Sequence, residues 1–279
     1  MGGNWMGGNW YGGNWFGGNW FGGNWDGGGG GGGGGGAFAT RTDHPLAEIK
    51  VPSNMAAIYP AKAWDADLHS LLILPEFFGI ANVMTQLAGS ISAPAAVTQA
   101  EIDELLILAV TERPEAMGEI MSQHQNQQNC FMQLLMMNSG SHPLTFTALK
   151  YTARIGEAVM IFFKDKYKKA RPSQVCPMLY PPLPVPGHAA YPAGHACIAH
   201  MTAKCLIDVT SKTNPVKPSP YEDALKALAN RIGLNRVIAG FHYRSDIQAG
   251  ADLAAAAYPL LQSCTLYSNA VRDARNEWP

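Results

Sequence analysis

From Thr147 onward the apolar residues Ala148, Tyr151, Ile155, Val159 and Phe162 return at steps of three and four. That is the period of a helix with one buried face. No strand-like alternation competes with it, so an all-α packed helical bundle is expected. Thr98-x-x-Glu101 is a capping box opening a helix through Leu105, Leu106 and Leu108 that ends near Pro114. A second helix should run from about Ala116 to Met137 and stop at Ser139-Gly140, with Met132, Met136 and Met137 filling the core. Pro177, Pro181, Pro182, Pro184, Pro186 and Pro192 then enforce an extended loop. Past it, Gly194-His195 opens a helix with Ile198, Met201, Cys205 and Leu206 inside. Ser219-Pro220-Tyr221-Glu222 starts another, buried through Leu225, Leu228, Ile232 and Val237. Gly240-Phe241-His242 turns the chain into an Ala-rich helix from about Ser245 to Tyr258, interrupted or kinked at Pro259.

The first 36 residues have a different character. Five Gly-Gly-Asn-Trp repeats hold five of the seven tryptophans, and ten glycines follow from Gly27 to Gly36. Glycine loses the most backbone entropy on ordering, so this run reads as a linker. Residues 1–36 are therefore a low-complexity tail and 37–279 the helical domain, about 240 residues being enough for one well-buried core. The plainest reading of the repeats is a disordered tail. Regularly spaced aromatics in a Gly/Asn background can also stack between chains, which would make the protein a homo-oligomer assembled through its tail. Carbohydrate binding by the tryptophans is the third reading.

A net charge of -1 argues against nucleic acid as the main partner. No basic-then-apolar leader and no 18-residue apolar run are present, so a cytoplasmic protein without a membrane span is expected. The five cysteines (Cys130, Cys176, Cys197, Cys205, Cys264) are scattered, without metal-type spacing. They read as free thiols of a reducing compartment.

Three clusters carry the chemistry: Lys164-x6-Arg171-Pro172, Pro192-Ala193-Gly194-His195, and Asn235-Arg236-x5-His242-x3-Asp246. Lys164, Arg171 and Arg236 are cations from three separate segments, able to compensate an oxyanion leaving water. Gly194 opens a helix, where free N–H groups and the helix dipole favour an anion. Asp246 lies one helical turn past His242, where a carboxylate fixes the imidazole tautomer and frees the other nitrogen for attack. Asp246 as a simple helix cap is the plainer reading.

In spacing and order the clusters resemble the signature shared by type 2 phosphatidic acid phosphatases, class A acid phosphatases and vanadium-dependent haloperoxidases: Lys-x6-Arg-Pro, Pro-Ser-Gly-His and Ser-Arg-x5-His-x3-Asp. The resemblance spans Lys164 to Asp246, and two positions depart from it: Ala193 and Asn235 stand where the family has Ser. It implies a metal-independent phosphatase acting on a small phosphorylated substrate, with His242 forming a phosphohistidine and His195 protonating the leaving oxygen. Vanadate would be the cofactor on the haloperoxidase alternative, which the short gaps between clusters disfavour. A weakly catalytic oxyanion-binding or tail-driven assembly protein is the third reading, kept open by Ala193. His44, His69, His124 and His142 read as structural, whereas His188 and His200 flank the site. The remaining basic residues of the run Lys164, Lys166, Lys168, Lys169, Arg171 read as a solvated helix end.

Overall fold

A computed structural model describes residues 64–213 and 216–279. The repeats, the glycine run and His44 lie outside the described residues. Three short helices come first, α1 (Ala66–Ser70), α2 (Ile73–Phe78) and α3 (Val83–Ala88). The helix α4 (Gln99–Thr111) begins at the expected capping box, with Thr98 Oγ1 accepting from Glu101 N and Glu101 Oε2 accepting from Thr98 N. Next, α5 (Arg113–Leu134) starts and ends about three residues earlier than expected, because Pro114 is accommodated in its first turn. The chain then turns through Met136, at φ 52°, which leaves that side chain exposed while Met132 and Met137 are buried.

The long helix α6 (Pro143–Tyr167) uses Pro143 as its first residue, before the expected start at Thr147. Its opening N–H groups, from Leu144 and Thr145, are met by the Glu277 carboxylate at 2.7 and 2.8 Å. One core position was out of phase: Phe163 is buried and Phe162 is 47% exposed. The reason is the step from Ile155 to Val159, which continues by four residues to 163.

After α7 (Pro172–Val175) and a 3-10 turn at Pro177–Leu179, the proline segment runs as the expected loop to a cis Tyr191–Pro192 bond. Then follow α8 (Gly194–Thr210), the two-residue strands β1 (Lys212–Thr213) and β2 (Val216–Lys217), α9 (Glu222–Ile238), α10 (Arg244–Gln262) and α11 (Thr265–Ala274). The antiparallel pairing of β1 with β2 was not expected and is confined to this connection. Ser219 Oγ does accept from Tyr221 N, yet the helix proper begins only at Glu222. Pro259 does not interrupt α10, which continues to Gln262. Its missing donor falls in the last turn, and Tyr258 and Leu261 on either side are buried.

The bundle is built around α8, which packs on α6, α9 and α10. Its sequence is small or apolar except for His195 and one stripe, His200, Lys204 and Asp208, which stay partly exposed, and 12 of its residues are buried. Gly250 lets α10 approach its start: a Cβ there would lie 2.5 Å from Ala193 O and 3.0 Å from Ala196 Cβ. Gly250→Ala is expected to cost about 1–3 kcal/mol through overpacking, read as a lowered midpoint in thermal or urea unfolding.

Candidate active site

The helix ends on one side of α8 collect the three clusters. Lys164 lies in the last turn of α6, Arg171 caps α7, and His195 is in the first turn of α8. Arg236 is in the last turn of α9, and Asp246 in the first turn of α10. His242 follows the turn at Gly240, whose φ of 79° is left-handed backbone that glycine adopts without strain.

His242 is buried, with Nδ1 at 3.3 Å from Asp246 Oδ2 and Nε2 at 3.0 Å from Arg171 Nη1. A guanidinium only donates, so Nε2 is the unprotonated nitrogen and Nδ1 carries the hydrogen that faces Asp246. The tautomer needed for attack through Nε2 is thus set from both sides. Asp246 Oδ2 also accepts from Tyr243 N at 3.1 Å, so the carboxylate caps α10 and orients the imidazole at once. Its other oxygen accepts from Lys169 Nζ at 2.8 Å. The reading of Lys169 as part of a solvated helix end is corrected here, since its side chain is only 7% exposed.

Arg171 is held on nearly every side. Nε donates to His188 O at 3.0 Å, Nη1 to Phe241 O at 3.0 Å, and Nη2 to His188 Nδ1 at 2.9 Å. Lys164 is buried and donates to Ala189 O and Ala190 O, at 2.7 and 2.8 Å, fixing the loop that leads into the second cluster. A cavity of about 880 Å³ lies on the outer side of this pair, with Lys164, Lys169, Arg171 and His188 in its wall. The proline loop lends it Val185, Pro186, Gly187, His188 and Ala189.

Arg236 differs from Arg171. Nη2 donates to Ile120 O at 3.0 Å and to Gln123 Oε1 at 3.3 Å, while Nε and Nη1 are buried with no partner among the described residues. Buried donors are normally satisfied, and two on one guanidinium mark a place for an acceptor. Asn235 stands where the family has Ser and donates to Glu119 and Gln123, tying α9 to α5. His195 is partly exposed and lies within electrostatic reach of Arg236, His242, His124 and Arg171. Two side chains reach these residues from α5. Gln123, which no sequence pattern singled out, accepts from Arg236. His124, read as structural, lies within electrostatic reach of Arg236 and His195 and stacks on Phe241 with ring centroids 6.1 Å apart. The signal is the run of eight polar residues from Ser122 to Asn129, which spans the non-helical backbone of Asn126 where α5 kinks. His69, bonded to Tyr151, and His142, packed on Trp278, are structural as expected.

Burial, and then the neighbouring cations, hold His242 and His195 well below the usual imidazole range. The same causes bring His188 to about 4, consistent with its neutral ring accepting from Arg171. Burial lowers Arg171 and Arg236 to about 10 each, still cationic at neutral pH. Burial, followed by Arg171, pushes Lys164 well down. Around the neutral imidazoles, Arg171, Arg236 and Lys169 set three cations against the one carboxylate of Asp246.

Main-chain bonds frame the clusters. Ala193 N donates to Asp246 O at 2.9 Å, and Ala190 N to Lys169 O at 2.9 Å. The Ala193 N–H is therefore committed to the main-chain frame. The N–H groups of Gly194, His195 and Ala196 open α8 and have no intrahelical acceptor. Gly194 is fully packed beneath Met160, 3.1 Å from where its Cβ would sit. Ala193 occupies the cap of α8 and offers no side-chain hydrogen bond.

No family model matches the chain. It is similar to a solved structure, the first transmembrane PAP2 type phosphatidylglycerolphosphate phosphatase from Bacillus subtilis, at 16% identity and a TM-score of 0.44, covering 68% of this chain and 95% of that one. Among the described residues of this chain, no helix is long and apolar enough to cross a membrane. No His/Cys/Asp/Glu cluster among them could hold a metal ion.

Proposed function

We propose that the chain is a phosphatase of the superfamily whose signature its clusters resemble, hydrolysing a small phosphate ester or pyrophosphate through a phosphohistidine on His242. The supporting observation is Arg236, whose two buried donors have no partner among the described residues and whose guanidinium lies within electrostatic reach of both His195 and His242. An oxyanion supplies the missing acceptors and the missing charge together. The residues suit vanadate for the same reason, and it would be held by Arg171, Arg236 and the start of α8.

The reaction follows from the tautomer. The lone pair on His242 Nε2 must first be released by Arg171 Nη1, and substrate oxygens give that guanidinium its replacement acceptors. Nε2 then attacks phosphorus, the ester P–O bond breaks, and His195 gives a proton to the departing oxygen. Water next attacks the phosphohistidine, returning a proton to His195 and releasing phosphate from His242. Asp246 compensates the positive charge that develops on His242 during both steps. A bound dianion opposes the cations that depress His195, which favours the protonated form required of an acid.

The test is p-nitrophenyl phosphate hydrolysis with and without vanadate, beside bromide oxidation by peroxide after vanadate loading. Vanadate-sensitive hydrolysis supports the proposal, halide oxidation replaces it with a haloperoxidase, and silence in both leaves an oxyanion-binding protein. Arg236→Met keeps bulk and removes the donors. Phosphate or vanadate affinity, by calorimetry, should fall about ten- to hundredfold, the loss of a charge-assisted hydrogen bond.

Ala193→Ser restores the family hydroxyl at the cap of α8. It can accept from an opening N–H and donate to the oxyanion. Stability should rise by about 1 kcal/mol from capping, and kcat/KM by about ten- to hundredfold from the added bond. A higher melting point with unchanged kcat/KM would mean that the residue caps the helix without facing the oxyanion.

A further inference from the structure

Resting on the assignment of His242 as nucleophile, we propose that Lys169 is a positioning residue that shares Asp246 with His242 and limits the carboxylate's pull on the imidazole. Lys169 stands apart from the other basic residues near it. Lys166 is exposed and the Lys168 side chain is 74% exposed, whereas Lys169 is 7% exposed. Its ammonium donates to Asp246 Oδ1 at 2.8 Å and Ser245 Oγ at 3.2 Å. It lies 4.3 Å from the centre of the Tyr243 ring and 5.8 Å from that of Tyr191. Its own carbonyl accepts from Ala190 N, so backbone and side chain both face the site. Removing a lysine from water is costly unless its partner is fixed, and here the partner is the carboxylate that orients the nucleophile.

Asp246 divides its two oxygens unequally. Oδ1 belongs to Lys169 at 2.8 Å; Oδ2 is split between Tyr243 N at 3.1 Å and His242 Nδ1 at 3.3 Å. The shorter, charge-assisted contact goes to the lysine. An unpaired aspartate would draw His242 toward imidazolium, whose Nε2 has no lone pair to attack with. A carboxylate neutralised by Lys169 still fixes the tautomer but exerts less pull. The other groups facing His242 are Lys164 from α6, Arg171 from α7, His188 from the loop, His195 from α8 and Arg236 from α9. All are cationic or neutral, so Asp246 alone favours protonation of His242, and Lys169 restrains it.

The experiment compares Lys169→Met, which keeps the stem and removes the charge, with Lys169→Arg, which keeps the charge. Imidazole NMR follows His242 in the substrate-free protein as pH is varied, and kcat/KM is measured across the same range. In Lys169→Met, His242 should titrate at higher pH. The ratio of kcat/KM at the alkaline plateau to that on the acid side should grow about tenfold, the effect of about one unit from a nearby charge. Lys169→Arg should restore the parent behaviour. A fall in melting temperature and a uniform loss at every pH, with His242 titrating as in the parent, would show that Lys169 is merely structural and overturn the proposal. If the parent hydrolyses no phosphate ester, the phosphatase reading fails, while the NMR titration still decides the coupling. Should Lys169→Met not fold, Lys169→Gln, which can bond Asp246 without charge, carries the same test.

Discussion

Replacing His242 with alanine is expected to reduce phosphate-ester turnover by about ten-thousandfold or more, the scale of losing a covalent nucleophile. His242 is only 3% exposed, so it is not the edge residue that its place in a turn suggests, and its removal opens a small void. The fold should nonetheless persist. Arg171 Nη1 keeps Phe241 O as an acceptor, and Asp246 keeps Tyr243 N and Lys169. A stability loss of about 1–3 kcal/mol is the expected range for such a void. Acid-labile label from a phosphorylated substrate should appear on the parent and be absent from the variant. Retained turnover, or label on a different residue, would remove His242 from the mechanism.

Asp246→Asn should lower kcat by about four orders of magnitude while leaving the backbone in place. Tyr243 N and Lys169 both demand an acceptor, and His242 Nδ1–H demands another. An amide has a single oxygen and a donating nitrogen. If the oxygen serves Lys169, the amide nitrogen takes the place of Oδ2, meets His242 and favours the tautomer with hydrogen on Nε2. That tautomer cannot attack, and the equivalent change in a serine-protease triad costs about ten-thousandfold for the same reason. Asp246→Ala also lacks the acceptor but imposes no donor on Nδ1, so it should retain more activity than the asparagine variant. Equal activity of both variants would show that tautomer control is not what Asp246 provides.

The fold was legible where the sequence is periodic. The face of α6 from Ala148 to Val159, the capping box of α4 and the start of α8 are local signals, and each lies where local chemistry puts it. The failures are positions where tertiary packing decides. Phe162 and Phe163 differ by one place in phase, and Pro259 survives inside α10 because its neighbours are buried. Lys169 was hidden because a basic run on a helix end is usually solvated; only the approach of α10 buries this one member. His124 and Gln123 sit more than a hundred residues before Arg236, and no spacing rule joins them. Conversely, the clusters were legible because their internal spacings place the candidate site residues within a turn or two of one another.

The bond from Ala193 N to Asp246 O, with that from Ala190 N to Lys169 O, uses no side chain. Such bonds are indifferent to which amino acid occupies the position. Position 193 can therefore hold serine or alanine without dismantling the frame that holds the two imidazoles. Catalytic power becomes separable from inheritance of the scaffold.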